Sequence, residues 1–356
     1  MTDGFDAAPG GGSWRPTHGA SRLRVAVVGT GRWWGFQHAR VFSGRPDVEL
    51  VAIVGRRASP TQARATAFGA RPYIDLEEML ARERPDLVAL CLPNEQHHDA
   101  TRTVIRSGTP LLAEKPLVFS LEEADALLDE AARRGLFFAI DFNHRWAQPV
   151  QLATAAIRAG RLGRLSFATW RFGGEGTSLH PYANLIETQC HGFDLLEHLV
   201  GPIGSVMAEM TSDGEPGTLV HPTVSVALRF ENGAVGSLVG SYETSYSYPD
   251  AQRLEVNGAA GRLVIHDTVR RFEFHPTGSE LGEVWEAGYF NDLDREFHRT
   301  LDRHADAVLG ALRAGAEPPI HARSGRRALQ LALSTIQSFE TGERVRLVGD
   351  PVGAVP

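Results

Sequence analysis

Cysteine is nearly missing from this chain: two occur in 356 residues, Cys91 and Cys190. They lie far apart and lack metal-ligand spacing, which excludes a disulfide scaffold and fits a reducing cytoplasm, so both are expected as free thiols and no metal site is expected. Also missing is any apolar run near the roughly 20 residues that span a bilayer, so no membrane association is expected. Positive charge is not in excess, because the formal net charge is -7, and this argues against a general binder of nucleic acid or of membrane surfaces. Residues 1–21 are rich in Gly, Ala and Pro without an apolar h-region. They are read as a disordered tail rather than a signal peptide.

What is present is an apolar fraction of 42%, enough for a large core and, at this length, for two domains. The organising stretch is Leu23 to His38, LRVAVVGTGRWWGFQH. Val25 to Val28 is apolar on both faces, as a buried parallel strand is. Gly29, Gly31 and Gly35 then allow a tight turn and a close backbone approach to a pyrophosphate at a helix N-terminus. The spacing G-x-G-x-x-x-G is one residue longer than the common fingerprint, so Trp34 stands where the third glycine usually does. A second strand, Val48 to Val54, ends in Gly55-Arg56-Arg57. An NAD-specific unit places an acid about 20 residues beyond the glycines; here glycine stands there, while Arg56 and Arg57 can pair with a 2′-phosphate. That reading favours NADP, with NAD possible; two solvated surface arginines are the alternative.

Helical segments at Ala58 to Phe68, Leu76 to Arg84, Asp99 to Ser107 and Leu121 to Arg134 alternate with apolar runs at Leu87 to Leu92, Pro110 to Ala113 and Leu136 to Asp141. This rhythm is that of a doubly wound parallel sheet. The strand ends carry Leu92-Pro93-Asn94 with His97, then Glu114-Lys115-Pro116, then Asn143-His144-Arg145. Ligands of open α/β sheets lie at such ends. Lys115 between an acid and a proline is either functional or half of an ion pair with Glu114. From Gly163 the rhythm changes to a meander, with strands expected at Leu165 to Phe172, Ser205 to Met210, Thr223 to Phe230, Ala234 to Tyr242, Arg253 to Asn257 and Gly261 to His266. Glu231-Asn232-Gly233 is a hairpin signal. The chain therefore divides into a dinucleotide-binding domain, 22–143, and a second domain, 144–356, whose strands follow one another as a meander. A helix expected over Leu185 to Val200 aligns Glu187, His191, Asp194 and His198 as one polar stripe.

The ordered set Gly29-Thr30-Gly31 with His38, Pro93-Asn94 with His97, Glu114-Lys115-Pro116, Asn143-His144-Arg145 and His191 with Asp194 resembles the glucose-fructose oxidoreductase, inositol dehydrogenase and rhizopine catabolism family, Gfo/Idh/MocA. Arg326-Arg327-Ala328-Leu329 and Thr341-Gly342-Glu343-Arg344-Val345 resemble that family's ending. The resemblance implies a Rossmann domain before a substrate-binding α+β domain with a large open, mostly antiparallel sheet, and reversible hydride transfer between a nicotinamide and a secondary alcohol of a sugar, nucleotide sugar or inositol-type polyol. It also implies a homodimer or homotetramer. Lys115, His191 and Glu187 become the catalytic candidates: His191 as base, Glu187 orienting its ring, Lys115 stabilising the oxygen. Glu187 stands where the family has Asp, and Gln189 where it usually has glycine. Candidate cofactor contacts are Gly29, Thr30, Gly31, Arg32, Trp33, Trp34, Arg56, Arg57, Leu92, Pro93, Asn94, His97, Glu114, Lys115 and Arg145. Trp33 and Trp34 either wall off the nicotinamide or pack as core aromatics. Candidate substrate contacts are Lys115, His144, Tyr182, His191 and Asp194. Two alternatives stay open: a redox-neutral enzyme that cleaves or epimerises glycosides with the cofactor bound, and a cofactor-sensing regulator without turnover.

Overall fold

A computed structural model of the chain describes residues 22–176, 180–215, 219–288 and 296–347; the expected N-terminal tail lies outside them. Among the described residues the chain forms two compact units that interleave along the sequence. The first comprises 22–113, Asp125–Ala139 and Ala307–His321, and the second Glu114–Ala124, Ile140–Asp306 and 322–347.

The first unit is built on a six-stranded sheet in the order β3-β2-β1-β4-β5-β6, where β1 is Leu23–Val28, β2 Val48–Val54, β3 Arg71–Tyr73, β4 Leu87–Leu90, β5 Leu111–Ala113 and β6 Phe138–Ile140. Its helices are α1 (Trp34–Ser43), α2 (Ala58–Ala67), α3 (Leu76–Glu83), α4 (His97–Ser107) and α5 (Leu121–Arg133). The central strands lack alternation because both faces are buried: Val25, Ala26, Val27, Leu87, Val88 and Ala89 have no exposed surface. The strand order reverses between β1 and β4, the switch point at which such sheets bind ligands. Pro72 lies in edge strand β3, which pairs in parallel with β2. A proline that cannot donate to the ladder is tolerated at an edge.

The second unit holds a nine-stranded sheet ordered β14-β13-β12-β11-β7-β10-β9-β8-β15. Its strands are β7 (Leu165–Gly173), β8 (Ile203–Met210), β9 (Thr223–Phe230), β10 (Val235–Ser241), β11 (Gln252–Gly258), β12 (Gly261–His266), β13 (Arg271–Pro276), β14 (Glu283–Glu286) and β15 (Val345–Arg346). Every neighbouring pair is antiparallel except β7 with β10. The hairpin signal is realised: Gly233 has φ +90°, its N–H donates to the Phe230 carbonyl at 3.0 Å, and the Asn232 side chain accepts from Ala234 N–H at 3.0 Å. On β9, Val224, Val226, Leu228 and Phe230 are buried while Ser225, Ala227 and Arg229 are exposed. Alternation of this kind leaves a sheet with one packed face. Helices α7 (Cys190–Val200) and α9 (Arg323–Thr341) pack against it, while α6 (Gln148–Arg158) packs on β12 and β13, and α8 spans Arg299–Ala314. The outer face exposes Phe167, Met207 and Val235.

The single helix expected over Leu185 to Val200 is two pieces. Asn184–Thr188 is a π-helical turn, closed by Gln189 N–H donating five residues back to the Asn184 carbonyl at 2.9 Å, and α7 begins after it. The wider turn breaks the i, i+4 alignment that the stripe assumed, and such insertions often sit at functional sites.

Candidate active site

In the first unit, β1 leads into Gly29, whose φ of +134° suits only glycine; a Cβ there would lie 2.1 Å from the Cys91 carbonyl oxygen. Gly35, not Trp34, is the close-packing third glycine, since its Cβ would lie 2.6 Å from the Gly29 carbonyl oxygen. The extra residue in the spacing is thus absorbed before α1 begins. Gly31 has open space where a Cβ would be, so a pyrophosphate can approach this turn closely. Trp33 is 61% exposed and is not a core aromatic, whereas Trp34 is half-buried. Arg32, Arg56 and Arg57 are exposed. Gly55 is required by packing: a Cβ there would lie 2.4 Å from Thr61 Oγ1 and 2.6 Å from Thr30 Cγ2, which leaves no room for a ribose-binding carboxylate. Arg64, which no spacing rule marks, reaches from α2 to the carbonyls of Thr30 and Gly31, both at 3.4 Å. His97 is buried and pins its own loop by a 2.9 Å hydrogen bond with the Leu92 carbonyl; Pro93 is exposed and Asn94 half-buried.

The second unit gathers the other predicted groups. Glu114 is buried. Lys115 Nζ donates to the backbone carbonyl of Glu187 at 3.0 Å, an acceptor that no side-chain pattern could reveal. His191, on the first turn of α7, lies parallel to His144, with ring centroids 3.9 Å apart and planes within 3°. Both rings are buried, and among the described residues Nδ1 of each lacks a hydrogen-bond partner. The carboxylate of Glu187 is therefore not on His191 Nδ1, where an orienting acid would sit. Burial pushes the His144 pKa down to about 3, with the Lys115 charge adding to it. Burial, then the neighbouring His144 and Lys115, hold His191 well below the ordinary histidine value. Both imidazoles are accordingly neutral near pH 7, the form in which a histidine can accept a proton.

Arg145 and Asp194 are brought together with each other: Nε donates to Oδ2 at 2.8 Å and Nη2 to Oδ1 at 2.5 Å. Burial pushes the Asp194 carboxyl upward and the guanidinium opposes it. Both oxygens of Asp194 are engaged in this bidentate pair, which ties the turn after β6 to α7. His198 is mostly buried and bonds Thr154 Oγ1 at 3.1 Å. Tyr182 is not joined to this cluster by any contact among the described residues. Its hydroxyl donates to Glu340 at 2.8 Å and its ring stacks on His221 at 4.8 Å.

Several supporting contacts carried no sequence signal. Gln189 is fully buried; its Oε1 accepts from the Trp170 indole N–H at 2.8 Å, and its Nε2 donates to Asn184 Oδ1 at 2.9 Å and to the Phe172 carbonyl at 3.3 Å. Asp141 and His304, 163 positions apart, form a buried 2.7 Å pair. Asn143 donates to Thr300 at 2.8 Å. Both contacts anchor the end of β6 to α8. Cys91 and Cys190 are buried free thiols, and burial pushes Cys190 up to about 12. No helix among the described residues is long and apolar enough to cross a membrane.

Comparison with known proteins places this arrangement. The chain is 28% identical to the D-glucoside 3-dehydrogenase of Escherichia coli (strain K12), covering 92% of this chain and 98% of that protein. It is 25% identical to the inositol 2-dehydrogenase of Rhizobium meliloti (strain 1021), covering 91% and 99%. In fold it is similar to levoglucosan dehydrogenase solved with NADH and levoglucosan, at a TM-score of 0.83, 18% identity, and coverage of 91% and 99%. A second such structure is the WlbA dehydrogenase of Bordetella pertussis with NADH and UDP-GlcNAcA, at 0.78, 24% identity, and coverage of 92% and 99%. Residues 23–142 match the oxidoreductase family with an NAD-binding Rossmann fold, and residues 150–264 match the GFO/IDH/MocA C-terminal domain. With both halves matched in order, the chain belongs to the GFO/IDH/MocA family of nicotinamide-dependent oxidoreductases.

Proposed function

We propose that the protein oxidises, reversibly, a secondary hydroxyl of a sugar, nucleotide sugar or inositol-type polyol, with Lys115 and His191 as the catalytic residues. The observation that carries this reading is that Lys115, held by the Glu187 carbonyl, and the buried His191 imidazole belong to one unit, from positions 76 residues apart, with the lysine charge helping to hold the imidazole pKa down. The glycine turn of Gly29, Gly31 and Gly35, with Arg32, Trp33 and Trp34, would hold the dinucleotide. Bound there, the nicotinamide supplies the acceptor for hydride leaving the alcohol carbon. His191 takes the hydroxyl proton; with Nδ1 sealed in the interior, that exchange falls to Nε2. One Lys115 N–H is used by the Glu187 carbonyl, leaving two for the oxygen on which negative charge develops. In reduction His191 returns the proton. Adding D-glucosides, inositols and nucleotide sugars with NAD or NADP and following the nicotinamide absorbance tests the reading. A net change supports a dehydrogenase, whereas product without it supports a redox-neutral cycle and overturns the proposal.

NADP is the preferred cofactor in this reading. Gly55 leaves no place for a carboxylate that would repel a 2′-phosphate, and Arg56 and Arg57 are exposed cations at the end of β2. A charge-assisted contact is worth about 1.5–3 kcal/mol, so NADP should bind on the order of 10–100-fold more tightly than NAD. Alanine at both arginines should erase most of that difference. Titration calorimetry giving equal affinities for the wild type would remove the preference.

The proposed assembly uses the outer sheet face, where Val235 lies beside Phe167 across the β7–β10 pair and Met207 is also exposed. Exposed apolar residues on one face form an association surface. The protein is therefore read as a homodimer or homotetramer using this face. Light scattering should report a multiple of the 38.8 kDa chain, and Val235→Glu should shift it toward the monomer; a monomeric wild type would refute the assignment.

A further inference from the structure

We propose that His144 is the positioning residue for the imidazole of His191, so that an aromatic stack fixes the plane of the proposed base where a carboxylate on Nδ1 is absent. The inference rests on the reading of His191 as that base. Among the described residues nothing hydrogen-bonds Nδ1 of His191, yet proton transfer requires a ring held at a defined angle, and a misplacement of about 1 Å can cost 10²-fold. The restraint visible in the structure is steric. One face of the ring is covered by His144 at 3.9 Å with planes within 3°. Phe142 meets the ring edge-on, with centroids 5.8 Å apart and planes at 76°. Turning the ring would therefore lose the stack or drive it into packed neighbours.

His144 is itself immobilised. Phe297 meets it edge-on at 5.2 Å and 89°, Phe172 at 6.4 Å and 70°, and Trp170 lies at 6.5 Å. Aromatic pairs prefer such offset and edge-to-face geometries. Trp170 is fixed in turn, because its indole N–H is held by Gln189 and its ring lies against Gly192, where a Cβ would come within 2.5 Å of the indole nitrogen. The chain of contacts Gln189, Trp170, His144, His191 thus begins and ends at the start of α7. It accounts for Gln189 at a position where the family usually has glycine, and it explains how Glu187 can leave the ring nitrogen without releasing the ring.

The test is a pair of buried substitutions, His144→Phe, which keeps a flat ring, and His144→Leu, which keeps similar volume without one. With the sugar that the assay above identifies, His144→Phe should retain kcat within about threefold, while His144→Leu should lower it about 10–100-fold. KM for sugar and for cofactor should change less than about threefold in both. Should His144→Leu not fold, Gln189→Met, which removes the indole acceptor at similar volume, should lower kcat several-fold with KM unchanged. A fully active His144→Leu or Gln189→Met overturns the proposal. So do equal losses in His144→Phe and His144→Leu, which would assign the role to the imidazole nitrogens, and so does a change confined to KM for sugar, which would make His144 a substrate contact. If His191→Ala keeps its activity, the base assignment itself fails, an outcome separate from these.

Discussion

His191→Ala should lower the rate of alcohol oxidation by about 10²–10⁴-fold, the usual contribution of a positioned general base. Lys115→Ala should cost about 10²–10³-fold, as loss of one donor to a developing oxyanion does. Glu187→Gln should cost far less than either, because the group that holds Lys115 is the Glu187 backbone carbonyl, which the substitution leaves in place. Cofactor affinity should stay near that of the wild type in all three variants, since the glycine turn is built from Gly29 to Gly35 in the other unit. Steady-state rates combined with fluorescence titration of the cofactor check this pattern. A Glu187→Gln variant as damaged as His191→Ala would transfer the base role to the carboxylate. The pH profile carries a sign as well: burial, His144 and Lys115 hold His191 below the ordinary histidine value, so the acid limb of the oxidation rate should fall below about pH 6.5.

The second large effect is on stability in acid. His144 and His198 are each pushed down to about 3, mainly by burial, His144 with help from Lys115 and His198 from Arg145 and Arg158; His191 is lowered too. For a base whose folded pKa is depressed, the unfolded chain takes up protons first. The stabilisation is therefore complete above the unfolded value of about 6.5 and is lost as pH falls toward 3. Each pH unit crossed in that window costs about 1.4 kcal/mol per histidine. Urea midpoints measured from pH 7.5 to 4.5 should therefore decline steeply, and His144→Phe should flatten the slope by removing one group. A midpoint that stays level to pH 4.5 would mean that these rings charge freely and are not sealed in the interior. Carboxylates held low by surface partners, such as Asp250 beside His266 and Arg253, destabilise in the same direction but act below about pH 4, outside the range compared.

The sequence by itself determined the frame of this protein. Unbroken apolar strands declared the parallel sheet, the meander of strands from Gly163 onward declared the change of architecture, and Asn232-Gly233 declared the hairpin between β9 and β10. The glycine turn was legible too, because a positive φ and a close approach leave one residue type available. These signals are local: each depends on neighbours along the chain and on whether a face meets water. Tertiary structure alone decided which groups meet. The 72-residue reach from Lys115 to the Glu187 carbonyl, the stack of His144 on His191 and the pin of Trp170 by Gln189 join positions that no periodicity links. Arg145 and Asp194, read as separate contacts for cofactor and substrate, are partners of each other, and Tyr182 turns to Glu340. The polar stripe failed for a definable reason: it assumed 3.6 residues per turn through Glu187 and His191, and one π-helical turn at Asn184–Thr188 changes the angle between them. A single main-chain hydrogen bond one residue longer than α-helical decides which way a carboxylate points, and side-chain identity does not encode it.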